Sequence, residues 1–291
     1  MTTTTTTIKS VGIAGSGLMA SGIAEVVARS GFEVVLRGRS AASGDKAMGR
    51  LERSLSGQAD KGKLTADERD RAIGLVTATT DLEQLDRCGL VVESVVEDLD
   101  VKKDLFRQLD RICGEDTILA TNTSTLAVVD LAMATGRPDR VLGLHFFNPA
   151  PRMPLVELVS AITTSDDTLR ATRTFAEDLG KDPVTVRDSA GFIVNALLFP
   201  YLNSAVRMLE AGVASREDID TAMIGGCGFP MGPLALLDLV GLDTSLAILN
   251  ALDAERSDAC STPAPLLKRM VTARRLGRKT GQGFYTYPTS R

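Results

Sequence analysis

A single histidine, His145, occurs in the 291 residues. It closes an apolar run, Val141-Leu142-Gly143-Leu144, expected to be a short buried strand, and Phe146-Phe147-Asn148-Pro149 follows as a turn. A side chain at the end of such a strand faces a crevice. Further on, Glu157 stands inside Leu155-Val156-Glu157-Leu158-Val159, where an ionised carboxylate is costly unless it is partnered. If the two side chains meet, the carboxylate fixes the imidazole tautomer and stabilises its protonated form, and the ring can work as general base or acid. Taken alone, the same residues suit a satisfied core histidine and an edge-strand charge equally well.

The elements that would position this pair begin at the other end of the chain. Residues 8–14, Ile-Lys-Ser-Val-Gly-Ile-Ala, read as a strand that runs into Gly15-Ser16-Gly17-Leu18-Met19-Ala20, and Ile23, Ala24, Val26, Val27 and Ala28 continue as one helical face up to Gly31. In a strand, glycine turn and helix of this kind, Gly15 permits the turn and Gly17 lets the backbone approach a pyrophosphate. The small Ala20 lets helix and strand pack, and Leu18 and Met19 open the helix whose N–H groups aim at the phosphates. Dinucleotide binding is the expectation. After the second strand, residues 32–36, a fold that binds NAD puts an acid on the ribose about 20 positions past the glycine loop. Gly38 stands there instead, flanked by Arg37 and Arg39 and followed by Ser40. A guanidinium can bind a 2′-phosphate and a serine can donate to it, so NADP(H) is expected over NAD(H), unless the arginines are only solvated charges.

Residues 41–73 read as a helical hairpin inserted into the sheet topology, N-capped at Thr65 in its second half, with Arg53, Lys61 and Lys63 towards its tip. The tip could hold an anionic tail or be a solvated surface. A third strand is expected at residues 89–94, then Glu97 and a helix over 99–113 carrying Lys102. A fourth, residues 117–120, ends in Thr121-Asn122-Thr123-Ser124-Thr125. Ligands of doubly wound sheets sit at such strand ends, so Asn122 and Ser124 could hydrogen-bond substrate or nicotinamide, or cap a helix starting at Leu126. Residues 1–187 thus read as a Rossmann-like doubly wound α/β domain. Residues 188–291 read as an all-helical domain with Asn195 near its start, a break at residues 225–233, and a strand pattern only at residues 283–287.

A composition of 44% hydrophobic and 24% charged residues is that of a chain able to build a sizeable core, and a net charge of −4 favours neither nucleic acid nor membrane surfaces as partners. Cys88, Cys113, Cys227 and Cys260 lack C-x-x-C spacing, which argues against a zinc site or a disulfide framework. No metal is expected, and the cysteines fit a cytoplasmic enzyme. The threonine-rich start lacks a signal-peptide pattern and reads as a frayed tail, and no membrane span is expected.

Together GSGLMASGIA, VVESVVEDLDVKKDLF, NTST, HFFNPAPRMPLVE, GFIVN, GFPMGP, GLD and GRKTGQGFYTY resemble the short-chain L-3-hydroxyacyl-CoA dehydrogenases, nearest the bacterial 3-hydroxybutyryl-CoA dehydrogenases, from Ile8 to Tyr287. The resemblance implies that His145 is the catalytic base and Glu157 the carboxylate that orients it. It further implies that Ser124 and Asn195 hold the substrate oxygens, that Glu97 and Lys102 lie on the nicotinamide side, and that Arg53, Lys61 and Lys63 contact the CoA phosphates. The second domain is then a substrate and homodimerisation domain. Ala20 replaces the usual third glycine, and Gly38 the ribose-binding Asp, both pointing towards NADP(H). Ala190 stands where Pro is usual and Ala196 where Arg commonly follows the Asn, which bears on acyl-pocket shape. Rival readings are a sugar-acid (gulonate-type) dehydrogenase, against which the lysine tip speaks, and a non-catalytic dinucleotide-binding protein.

Overall fold

A computed structural model describes residues 8–288; the threonine-rich start lies outside the described residues. The chain forms two compact units, Met1–Ser189 and Ala190–Arg291.

The first unit is built on one eight-stranded sheet. Strand β1 (Ser10–Ala14) and helix α1 (Leu18–Arg29) meet through the glycine turn, and β2 (Glu33–Arg37) lies parallel to β1. Helices α2 (Ala41–Ala59) and α3 (Ala66–Gly74) form the inserted hairpin, each opened by a reciprocal cap, Ser40 with Ser43 and Thr65 with Glu68. The hairpin leads into β3 (Val76–Thr79), a strand that the sequence reading passed over. Its Val-Thr-Ala-Thr buries only the valine fully, because it is an edge strand, so it has no apolar run to betray it. Then come β4 (Leu90–Glu93), α4 (Leu99–Ile112), β5 (Ile118–Thr121), α5 (Val128–Ala132), β6 (Val141–Phe146), β7 (Leu155–Ser160), α6 (Asp166–Asp178) and β8 (Asp182–Arg187). Their order is β3-β2-β1-β4-β5-β6-β7-β8, parallel throughout except that β6 and β7 run antiparallel. Glu157 therefore lies on an interior strand, not an edge.

Residues Val11, Ile13, Leu36, Leu90, Val92, Ile118, Leu142 and Leu144 of the strands are buried with Ile23 and Val27 of α1 and Leu51 and Leu55 of α2. Burying each such side chain contributes about 1.5–3 kcal/mol, which keeps the strand ends in fixed register. Helix α5 starts two residues after Leu126, where the sequence placed it. The carboxylate of Asp188 accepts the Val128 and Val129 N–H groups at 3.0 and 2.8 Å.

The second unit comprises α7 (Val194–Glu210), α8 (Arg216–Cys227), α9 (Pro233–Val240), α10 (Leu242–Arg256) and α11 (Pro265–Thr272). Helix α8 continues through Gly225 and Gly226, where sequence suggested a break, and ends at Gly228 in the left-handed conformation. Residues 283–287, expected as a strand, make only isolated bridges around Gln282. Among the described residues no single helix is long and apolar enough to cross a membrane.

Candidate active site

His145 sits inside β6, one residue short of its end, and the antiparallel register places Glu157 of β7 directly opposite. Facing side chains of such a pair share one side of the sheet, with Cβ atoms about 4.5–5.5 Å apart. His145 is 4% exposed and Glu157 fully buried. The imidazole Nδ1 lies 2.7 Å from Glu157 Oε2, and Nε2 lies 3.0 Å from Ser124 Oγ. An Nδ1–H donated to that carboxylate leaves Nε2 with its lone pair facing the Ser124 hydroxyl. Phe147 packs against the ring at a centroid separation of 4.6 Å.

Ser124 is held in turn from β4 and α4. Glu97 accepts from the Ser124 N–H at 3.1 Å, from the Thr125 hydroxyl at 3.1 Å, and through a short contact from the Thr123 hydroxyl. Its other oxygen is 3.2 Å from Lys102 Nζ. Lys102, 1% exposed, also lies 2.7 Å from Glu93, whose remaining oxygen accepts from the Thr121 hydroxyl at 2.7 Å. Burial alone would raise the Glu97 carboxyl; the opposing pull of Lys102 and the donated hydrogen bonds from Thr123 and Ser124 outweigh it, leaving the group below the ordinary carboxylate value. Glu97 is thus an ionised clamp on the 123–125 turn, braced by the buried Lys102. Sequence reasoning did not single out Glu93; a glutamate as the last residue of a fully buried strand was the signal available. Asn122 uses its side-chain oxygen to accept the Phe146 N–H at 2.9 Å, tying the end of β5 to that of β6.

At the glycine loop a Cβ on Gly15, where φ is +151°, would come within 2.2 Å of the Ser94 carbonyl oxygen, so only glycine fits. A Cβ on Gly17 would meet nothing within 4 Å. That open space lies over the start of α1, whose first N–H groups have no partner within the helix, and Ala20 is buried behind it. The loop fits a dinucleotide pyrophosphate. A Cβ on Gly38 would approach Gly44 N and Ser43 Oγ to 2.8 Å, so the first turn of α2 closes over the place of the missing acid. Ser40 is engaged as the cap of α2, accepting from Ser43 N–H, and Arg39 is exposed. Arg37 ends β2 half-buried, its Nε donating to the Thr80 carbonyl at 3.3 Å.

Arg53, Lys61 and Lys63 are all exposed on the hairpin. Asn195 is buried near the start of α7, in the helical unit.

Residues 10–189 match the NAD-binding domain of 3-hydroxyacyl-CoA dehydrogenase, and residues 191–287 match the C-terminal domain of the same family. The 3-hydroxybutyryl-CoA dehydrogenase of Mycobacterium tuberculosis is 50% identical over 282 residues, 96% of this chain and 99% of the relative. That of Clostridioides difficile is 46% identical, covering 94% of this chain and 98% of the relative. Among solved structures, (S)-3-hydroxybutyryl-CoA dehydrogenase PaaH1 from Ralstonia eutropha superposes with a TM-score of 0.95 at 42% identity, covering 97% of this chain and 100% of that one.

Proposed function

The chain belongs to the 3-hydroxyacyl-CoA dehydrogenase family, and from that premise we propose that it transfers hydride reversibly between C3 of a short-chain (S)-3-hydroxyacyl-CoA, 3-hydroxybutyryl-CoA foremost, and a nicotinamide dinucleotide. The observation that carries this reading is the continuous chain of hydrogen bonds from Ser124 through His145 to Glu157. In oxidation His145 Nε2 takes the proton of the substrate hydroxyl as hydride leaves C3. In reduction the imidazolium returns that proton to the developing alkoxide. Glu157 holds Nδ1–H and stabilises the imidazolium between these events. The Ser124 hydroxyl holds the reacting oxygen beside Nε2, and Asn195 of the helical unit holds a second substrate oxygen. Glu97 keeps Ser124 in place by gripping its N–H and the hydroxyls on either side.

The glycine loop from Gly15 to Ala20 and the first turn of α1 hold the pyrophosphate. Asn122 and Glu97 lie towards the nicotinamide, which, when bound, supplies the hydride acceptor or donor. Lys102 is sealed between Glu93 and Glu97 and acts through Glu97. Arg53, Lys61 and Lys63 offer exposed cations to the phosphates of the CoA tail.

The cofactor is read as NADP(H) over NAD(H). Arg39 supports this as a solvent-exposed guanidinium next to a position that has no carboxylate to repel a 2′-phosphate, while Ser40 contributes mainly as a helix cap. Initial rates of acetoacetyl-CoA reduction with NADPH and NADH, side by side, test both parts. NADPH is expected to win by about tenfold, about 1.4 kcal/mol. Preference for NADH would sink the cofactor assignment alone, and no rate with either would sink the substrate. The helical unit leaves Leu197, Val213, Ile224 and Phe229 exposed, an apolar set suited to a homodimer contact. Light scattering on Leu197→Glu should report a monomer if that is its use.

A further inference from the structure

Besides Arg39, which precedes the hairpin, a second cation bears on the cofactor from the hairpin itself, at a place no sequence motif marks. Arg50, in the middle of α2, is half-buried, and its Nη1 donates to the carbonyl of Ser16 at 3.0 Å. Ser16 is the residue between Gly15 and Gly17. Among the described residues no carboxylate pairs with Arg50, and the Ser16 carbonyl is its one hydrogen-bond partner there. A guanidinium has several N–H groups in one plane, so most of its donors remain beside the loop. The neighbouring α2 side chains on the inner face, Leu51 and Leu55, are buried, so the helix backbone beneath Arg50 is held firmly against the sheet unit.

We propose that Arg50 is a pyrophosphate-binding residue, supplying a full positive charge to a phosphate site built on the backbone N–H groups of the glycine loop. A half-buried cation without a carboxylate, tethered to a loop that leaves open space at Gly17, is arranged for an anion the protein does not itself provide. Arg50 lies about 15 Å along the helix axis from the cap at Ser40 and its neighbour Arg39. The two arginines therefore attend to different phosphates. Arg39 is near the end of β2, where the adenosine ribose of a dinucleotide lies, and discriminates by the 2′-phosphate. Arg50 is at the glycine loop and serves the pyrophosphate that NAD(H) and NADP(H) share. This assignment rests on the dinucleotide reading of the site.

The test is the dissociation constant of NADH and of NADPH, read from cofactor fluorescence on the full chain, for wild type, Arg50→Met and Arg50→Lys, each at low and at raised salt. Arg50→Met is expected to weaken both cofactors by the same factor, about tenfold, while Arg50→Lys loses about threefold. The affinity of Arg50→Met should also fall less steeply with salt, because one charge pair has gone. Arg39→Met, by contrast, should weaken NADPH only. Unchanged constants in Arg50→Met would overturn the proposal. So would a loss confined to NADPH, a loss of acyl-CoA affinity in place of cofactor affinity, or an unaltered salt slope, which would leave Arg50 a mere tether for Ser16. If wild type bound neither dinucleotide, the functional reading itself would fall, an outcome distinct from all of these. Should Arg50→Met melt early, the Lys variant and the wild-type salt slope still decide.

Discussion

Each of the two units buries carboxylates, and they use them in opposite ways. In the helical unit Asp220 accepts the Leu234 and Ala235 N–H groups at 2.8 and 3.0 Å and the Tyr285 hydroxyl at 2.9 Å. Asp238 accepts the Phe284 and Tyr285 N–H groups at 2.9 and 2.8 Å and the Tyr287 hydroxyl at 3.0 Å. These donors are backbone amides and phenols that stay protonated, because burial first and the adjacent aspartates next push both tyrosines up, Tyr285 strongly. Such a carboxylate locks loops to helices, and none of its donors passes a proton on. In the sheet unit the buried Glu157 and the more exposed Glu97, whose side chain is 40% accessible, end on groups to which the proposed chemistry gives a part, an imidazole and a serine turn. Burial alone does not separate a structural carboxylate from a functional one. What its donors can do next does.

The sharpest break between the two uses should come from His145→Ala, which is expected to lower kcat about a thousandfold. Cofactor affinity should stay near wild type, while the melting temperature falls because the buried Glu157 loses the imidazole beside it; retained turnover would remove His145 from the chemistry. On the other side of the comparison, Asp238→Ala strands the buried Phe284 N–H and the half-buried Tyr285 N–H and should cost about 3 kcal/mol in denaturant unfolding. Its kcat per folded molecule should be little altered. Glu157→Gln tests which class Glu157 belongs to: a loss of about a hundredfold in kcat with modest destabilisation makes it functional, whereas lost stability with unchanged kcat would group it with the aspartates. The smallest effect concerns acid. The Glu97 carboxyl is held below its ordinary value of 4.5, so the stabilisation it contributes is complete above that pH and is lost as pH falls through the lowered value. Melting temperatures followed from pH 6 down to about pH 3 should therefore fall less steeply in Glu97→Gln than in wild type. Parallel curves would mean the clamp is not ionised in the way its partners imply.

Much of the frame was legible in the residues. The buried parallel strands announce themselves as apolar runs bounded by turns, the glycine loop by its place between strand and helix, and the hairpin by the cap at Thr65. Strand β3 did not, because an edge strand carrying threonine has the same local pattern as a loop. The capping of α5 by Asp188 was hidden because donor and acceptor are far apart in sequence. Arg50 and Glu93 were invisible for a related reason. An arginine in a polar helix and a glutamate at a strand end become meaningful only through the residues folded against them.

By itself the sequence determined the class of fold, through periodicity that is a local property, and, through the resemblance of its motifs, the family and the candidate set of His145, Glu157, Ser124 and Asn195. It also determined that position 38 has no acid. The tertiary structure alone decided that Glu157 faces His145, through the one antiparallel pairing in the sheet. It alone decided that Ser124 completes the line at 3.0 Å, because Glu97 and Lys102 hold its turn from another strand and helix. Distances between such side chains follow from register and packing, which long-range burial sets and no stretch of sequence contains.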